Sequence, residues 1–463
     1  MKKPPSPSVS PSRPLNRDFQ ISRRTFLAKT AALAALTGLP SWFVERQLLS
    51  AAELPAKVKS PNARPGVCLV GCGGMGTGDA VNASNYGDIL AVCDVDDSHA
   101  AAAAEKFTVE GKVPDRYSDF RRVLERKDIH VILNGTPDHW HTLVNIAAAR
   151  AGKDVYSEKP LTLTIDEGKH VVTEVRKHGI VLQTGTQQRS SERFRLACEL
   201  IRNGRIGRLK QAIVWLPAGL REGPFKSEPV PAGLNWDFWQ GQAPATDYIK
   251  QRCHRYFRFW YDYSGGTMTD WGAHHNDIAY WAIGLVAPRK VEAERITQPI
   301  PGGYDAFADY AVHYEYENGV RLDIQTTRDD DIFGEKVNAQ GQRNGIRFEG
   351  TDGWIWVNRS QLTASDPALL RKEMPENAVR LPVSKNHMGN FFECVHSREK
   401  PICDVEIGHR SATICHLGAI ALRTGAKLTW NSIDEKFEGE NASKANAYLS
   451  REMRKPYNYD FCG

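Results

Sequence analysis

The run Gly71-Cys72-Gly73-Gly74-Met75-Gly76 restricts the folding of this chain more than any other segment. It matches G-x-G-x-x-G and stands between a short apolar run, Gly66 to Val70, and a stretch of helical pattern around Ala80. The first glycine permits a tight strand-to-helix turn. The second lets a diphosphate approach the backbone, and the third lets the helix pack closely on the strand. The diphosphate then rests on the free N–H groups of the helix N-terminus. Asp94 closes the next apolar run, Ile89 to Cys93, eighteen residues after Gly76. An acid there accepts hydrogen bonds from ribose hydroxyls and repels a 2′-phosphate, which favours NAD over NADP. Gly71, Gly73, Gly74, Met75, Gly76 and Asp94 are therefore the expected core of a dinucleotide site.

The strand series continues with Ile129 to Leu133, Val155 to Ser157 and Ile180 to Thr184, and helical patterns at Ala100 to Phe107 and His141 to Ala151 alternate with it. Such alternation predicts a parallel sheet with helices on both faces. Beyond residue 186 the pattern changes. A helix over Phe194 to Asn203 precedes strand patterns at Gln211 to Leu216, Ala311 to Glu317, Val320 to Thr326 and Gly345 to Val357. Phe391 to His396 and Ser411 to Leu422 read as helices. The expectation is an α/β chain: a doubly wound Rossmann sheet over residues 65–185, then an α+β domain with a large open, mainly antiparallel sheet over 186–463.

The net charge of +5 is carried entirely by residues 1–53, and the remainder is balanced. A neutral body without a basic run offers no footprint for nucleic acid. Within the basic segment, Ser22-Arg23-Arg24-Thr25-Phe26-Leu27-Ala28-Lys29 is a twin-arginine pattern, followed by an apolar stretch shorter than a bilayer span. It predicts handling by the twin-arginine export machinery and a periplasmic or otherwise exported protein, with an uncleaved membrane anchor as the alternative. Residues 54–64 read as a linker. The nine cysteines form no CxxC pair, so no metal site is read from them. Cys68, Cys72 and Cys93 lie in apolar runs and read as core.

The chemistry-bearing residues cluster at strand ends. Glu158-Lys159-Pro160 closes the fourth strand, where the sheet faces a cofactor crevice. Far downstream, Asp270, His274 and Asp277 share one face if their segment is helical. Thr136, Pro137 and His141 follow the third strand at the same edge, as does Trp140. Gln187, Gln188 and Arg189 follow the fifth. The pattern resembles the glucose–fructose oxidoreductase, inositol dehydrogenase and MocA family (Gfo/Idh/MocA) over nearly everything after residue 65. The resemblance implies that Lys159, Asp270 and His274 are catalytic.

These residue types suit hydride removal from a carbinol carbon. His274 is the expected general base because an imidazole titrates near working pH. Asp270 would orient it or relay its proton, and Lys159 would bind the substrate oxygen. Thr136, Pro137, His141, Glu158 and Lys159 complete the expected contacts to a tightly held NAD. Gln187 and Arg189 are expected near substrate; Trp140 and Tyr263 read equally as substrate-side groups or as core packing, and His275 as a structural or substrate-edge residue. The activity expected is NAD-dependent oxidoreduction of a sugar, glycoside or polyol by a homo-oligomer. One alternative is redox-neutral glycoside cleavage through oxidation, elimination, hydration and reduction. Another is a non-catalytic, nucleotide-bound sugar-binding protein.

Overall fold

The computed structural model describes residues 64–461 apart from 328–330, 333–334, 337–343 and 372. The twin-arginine segment, the linker up to residue 63 and Cys462 lie outside the described residues.

Six parallel strands build the first sheet, in the order β3-β2-β1-β4-β5-β6. They are β1 (Gly66–Val70), β2 (Asp88–Cys93), β3 (Asp115–Tyr117), β4 (Ile129–Asn134), β5 (Asp154–Ser157) and β6 (Leu182–Thr184). Crossover helices cover both faces, which is why β1 and β5 are buried along their whole length and β1 reads as a continuous apolar run. These helices are α1 (Gly74–Ala83), α2 (Asp97–Lys106), α3 (Phe120–Leu124), α4 (Asp138–Arg150) and α5 (Ile165–His178). The strand order reverses between β1 and β4, and a crevice opens at their C-terminal ends. Five strands are legible in the sequence. The sixth, β3, is a three-residue edge strand with no buried residue, so it carries no apolar signal.

The second sheet has nine strands, ordered β15-β14-β13-β7-β10-β9-β8-β16-β17. After α6 (Glu192–Arg202) come β7 (Leu209–Pro217), α7 (Trp236–Gln240), α8 (Trp271–Ile283), β8 (Lys290–Arg295), β9 (Tyr310–Glu315) and β10 (Arg321–Thr327). A separate two-stranded ladder, β11 (Asp331–Ile332) and β12 (Glu335–Lys336), follows. The sheet continues with β13 (Gly345–Gly350), β14 (Trp354–Val357) and β15 (Leu362–Ala364). Helices α9 (His387–Ser397) and α10 (Val405–Thr424), strands β16 (Leu428–Asn431) and β17 (Lys436–Glu438), and α11 (Ala442–Asn446) complete the chain. Only β7 and β10 pair in parallel; their other neighbours are antiparallel. Helices α6, α8 and α10 bury their apolar sides on this sheet around Val214, Val312, Tyr314, Ile324 and Phe348.

The two halves interleave in space. Met388, Phe391 and Phe392 of α9 join Val67 and Leu69 of β1 in one core cluster. Tyr457 packs edge-on against Trp140 of α4, with ring centroids 5.6 Å apart. The C-terminal half thus completes the core of the nucleotide-binding half. Eight cysteines, including Cys68, Cys72 and Cys93, are buried free thiols. Among the described residues, no helix is long and apolar enough to cross a membrane.

Candidate active site

The glycine turn behaves as its spacing predicts. Gly71 sits at φ +88°, and a Cβ there would lie 2.6 Å from the Gly135 and Thr136 backbone. A Cβ at Gly76 would collide with the Gly71 carbonyl, while Gly73 and Gly74 face open space. Helix α1 starts at Gly74 with no side-chain cap and no acid in its first turn. Its first N–H groups are therefore free for an anion. Met75 stands 46% exposed at the rim. Asp94 is fixed at the end of β2: one carboxylate oxygen accepts from Cys72 N at 2.7 Å, the other from Asp96 N at 2.9 Å. Open space at Gly73, uncapped amides and a fixed acid fit a dinucleotide diphosphate and its ribose.

Lys159 and the distant residues of the α8 region meet at this crevice. Lys159 Nζ donates to Asp270 Oδ1 at 2.5 Å, with both side chains largely buried. Arg258, which sequence reading missed, adds its Nε at 3.3 Å on the same oxygen. Burial opposes the charged form of Lys159, but the Asp270 and Glu158 carboxylates outweigh it and hold the ammonium above its ordinary value. Burial likewise opposes ionised Asp270, yet Lys159 and Arg258 keep that carboxyl below the usual range. Lys159 is thus a fixed cation suited to polarising an oxygen rather than to accepting a proton.

His274 lies on the first turn of α8, 7% exposed, with its Nδ1 unbonded to any described residue. Burial pushes its pKa well below the ordinary imidazole value, and the Lys159 ammonium is the strongest charge adding to that effect. The imidazole is therefore neutral at neutral pH and able to take a proton. Asp270 precedes α8 as its N-terminal boundary residue and faces Lys159 and Arg258. The expected Asp270–His274 pairing is replaced by an Asp270–Lys159 pair.

Rate measured against pH in the oxidising direction has its acid limb below the free imidazole value of about 6.5, because protonation of His274 needs more acid. Replacing His274 with Asn removes that limb and lowers kcat about 10²- to 10⁴-fold. A limb at or above 6.5 that survives His274→Asn contradicts the assignment.

Glu158 is buried and accepts from Gln187 Nε2 at 2.9 Å. Burial raises its pKa, and it meets a second acid the sequence did not single out, Asp79 of α1. Burial and Glu158 push Asp79 well above the carboxylate range, which makes Asp79 the protonated partner. Glu158 therefore ties α1 to the Lys159 loop.

The loop after β6 acts on the site from behind. A Cβ at Gly185 would collide with Glu158 Oε1. Gln187 holds Glu158. The Gln188 amide donates to the His274 carbonyl at 3.0 Å and accepts from Arg359 at 3.2 Å. Arg189 makes a bidentate pair with Asp277, at 2.6 and 2.8 Å. Arg189 is 2% exposed and Asp277 is 0% exposed, so neither contacts a substrate. The expected substrate role of Arg189 is corrected accordingly: it positions α8, while half-buried Gln187 donates to Glu158 and, at 3.1 Å, to the Tyr156 hydroxyl.

Three other expected substrate residues are also core. Trp140 donates its indole N–H to the Trp239 carbonyl at 2.9 Å and packs edge-on against Phe120 and Phe238. Tyr263 is fully buried between His139 and Trp239. His275 is fully buried, with Nε2 2.9 Å from Asn344 Oδ1. His141 does not reach toward a cofactor either. Its ring is clamped between the Pro160 carbonyl (2.6 Å) and the Thr136 carbonyl (2.9 Å), and burial pushes its pKa down to about 4. It thereby joins the loops bearing Thr136 and Lys159. Thr136 Oγ1 donates to Asn134 at 2.6 Å, and Pro137 immediately precedes α4; the Thr136 backbone lies beside Gly71 at the crevice edge.

Comparison with known proteins identifies both halves of the chain. Residues 66–186 match the Gfo/Idh/MocA model described as an oxidoreductase family, NAD-binding Rossmann fold. Residues 215–459 match the model for the C-terminal alpha/beta domain of the same oxidoreductase family. The chain is 36% identical over 280 residues to a levoglucosan dehydrogenase of Pseudarthrobacter phenanthrenivorans, a match covering 56% of this chain and 62% of that relative. It is 26% identical over 260 residues to a myo-inositol 2-dehydrogenase of Thermotoga maritima, again 56% of this chain and 62% of the relative. The fold is shared with the WlbA dehydrogenase of Bordetella pertussis solved with NADH and UDP-GlcNAcA, at TM-score 0.58 and 19% identity, covering 79% of this chain and 99% of that one. With both domain models matched in order, the chain belongs to the Gfo/Idh/MocA oxidoreductase family and carries its NAD-binding Rossmann domain.

Proposed function

We propose that this protein oxidises or reduces a hydroxyl-bearing carbon of a sugar, glycoside or polyol, using NAD rather than NADP. The observation that carries the reading is a buried Lys159 ammonium, paired with Asp270 at 2.5 Å, in one site with the buried His274 imidazole, whose Nδ1 has no partner among the described residues. The bound nicotinamide would supply the hydride acceptor or donor. Lys159 binds the substrate oxygen and stabilises negative charge as it develops there. His274 takes the hydroxyl proton in the oxidising direction and returns it in the reducing one. Asp270 and Arg258 hold Lys159 in place. Asp94 supports the choice of NAD, because a 2′-phosphate would meet its carboxylate. The levoglucosan and myo-inositol dehydrogenase relatives support a cyclic polyhydroxylated substrate. The Arg23-Arg24 pattern supports export of the folded protein.

The test is a panel of anhydrosugars, inositols, aldoses and glycosides assayed by nicotinamide absorbance, with NAD and NADP in parallel. Turnover of at least one cyclic polyol with NAD, and much weaker turnover with NADP, is expected. No absorbance change with any of them defeats the reading. Cleavage of a nitrophenyl glycoside without added cofactor replaces it with the redox-neutral one.

A further inference from the structure

A second group of chemistry-bearing side chains lies at the open end of β2, apart from the Lys159 crevice. Among the described residues, Asp96, His99 and His254 each bring one donor atom to within 4.8 Å of the others. Asp96 caps α2 with one oxygen only. Its Oδ1 accepts from Ser98 N at 2.9 Å and from Ser98 Oγ. That leaves Oδ2 turned toward His254, whose Nε2 stands 3.4 Å away. His99, in the first turn of α2, has its Nδ1 3.8 Å from Asp94 Oδ2. Both separations exceed the roughly 2.7–2.9 Å of a charge-assisted hydrogen bond. The two imidazole rings lie 4.5 Å apart, centroid to centroid, and tilted by 51°.

His254 reaches this place from the second half of the chain. Asp97 N donates to the Gly233 carbonyl at 3.0 Å and Asn235 N to the Val95 carbonyl at 2.9 Å, so this part of the chain is laced to the end of β2. His254 itself has φ +48°. Non-glycine residues adopt that region at a cost, and such strain persists where the surroundings hold it and collects at functional sites. The strained backbone aims an imidazole at a second imidazole and a half-occupied carboxylate. Two aspartates, Asp94 and Asp96, make the surroundings negative.

We propose that Asp96, His99 and His254 bind a divalent transition-metal ion of the zinc class, which clasps the His254 segment over the ribose end of the nucleotide crevice. Two imidazoles and one carboxylate suit zinc or cobalt and do not suit magnesium or calcium, which take oxygen ligands. Three partly exposed side chains with donors within 4.8 Å of one another would close on the ion to the roughly 2.0–2.2 Å typical of zinc–nitrogen and zinc–oxygen bonds. Water fills the fourth position. Cys253, the residue before His254, is buried and is not one of the three clustered donors. Because His254 is far from Asp96 and His99 in the chain, spacing alone does not reveal the group.

The test uses the full chain without a histidine tag, stripped by chelator and titrated with Co²⁺ alone and Zn²⁺ alone. One equivalent of Co²⁺ with a tetrahedral visible spectrum is expected, displaced by Zn²⁺ and unaffected by Mg²⁺. His254→Ala and His99→Ala each weaken binding at least tenfold while the metal-free melting temperature stays within a few degrees. Added Zn²⁺ slows release of bound nucleotide in the wild type and not in His254→Ala. The proposal is overturned by absence of stoichiometric Co²⁺ binding, or by binding that survives both replacements. Binding without any effect on nucleotide release overturns the clasp.

Discussion

Replacing Lys159 with Met lowers kcat about 10²- to 10³-fold, equivalent to about 2.7–4 kcal/mol of transition-state stabilisation, and leaves nucleotide affinity nearly unchanged. The size follows from the position of the ammonium. It is fixed by a 2.5 Å bond to Asp270, is largely screened from water, and is held protonated by two carboxylates. A preorganised donor in such surroundings stabilises developing charge far better than a solvated one. Methionine keeps the length and apolar volume of the stem, so the fold loses only the pair with Asp270. Asp270 retains Arg258 at 3.3 Å as a counterion, which limits the structural damage. Single-turnover hydride transfer with an active sugar, together with a nucleotide titration, checks this. If Lys159 served only as a structural ion-pair partner, melting temperature would fall while kcat per folded molecule stayed within a few fold.

The parts of this site legible in the sequence are those whose meaning is local. Gly71 to Gly76 declare a strand-turn-helix because only that turn needs glycine at those places, and Asp94 follows because a strand end has one address. Lys159 is legible for the same reason, as the residue just past β5. What the sequence does not carry is the identity of a partner brought in from a distant element. Arg189 reads as a free polar group after a strand, yet Asp277 occupies it completely. Asp270 and His274 read as partners from their helical spacing. In the structure α8 begins one residue after Asp270, and Lys159 and Arg258 draw that carboxylate to themselves. Trp140, Tyr263 and His275 look like a sugar platform because aromatic and imidazole groups serve both stacking and core packing. Only the depth of the Rossmann half against the second sheet decides between them, and it decides for the core. Strand β3 escapes notice for the opposite reason: an edge strand of three residues with no buried side chain leaves no apolar trace.

The loop Gly185 to Arg189 then acquires a mechanical meaning, and with it the largest expected effect on stability. Gln187 holds Glu158, Gln188 holds the His274 backbone, and Arg189 holds Asp277, so one loop couples β5, β6 and α8. The Arg189–Asp277 pair is the strongest of these ties. It is bidentate, almost fully buried, and the guanidinium also lies 4.8 Å from the Trp281 ring centroid. Arg189→Ala strands the Asp277 carboxylate in a site with no solvent, and the expected cost is about 3–5 kcal/mol. Asp277→Ala strands the guanidinium at a similar cost. The double replacement Arg189→Met with Asp277→Leu is much less damaging than the sum, because it removes both charges and refills the volume. Denaturant unfolding of the wild type, Arg189→Met, Asp277→Leu and the double variant closes the cycle and gives the coupling energy. A single replacement costing under about 1 kcal/mol, as an exposed pair would, shows that α8 is held by its apolar contacts instead. Steady-state kinetics of the double variant is the second readout: with α8 refilled but held to the loop only through Gln188, His274 and Asp270 shift relative to Lys159, and kcat falls while the protein stays folded.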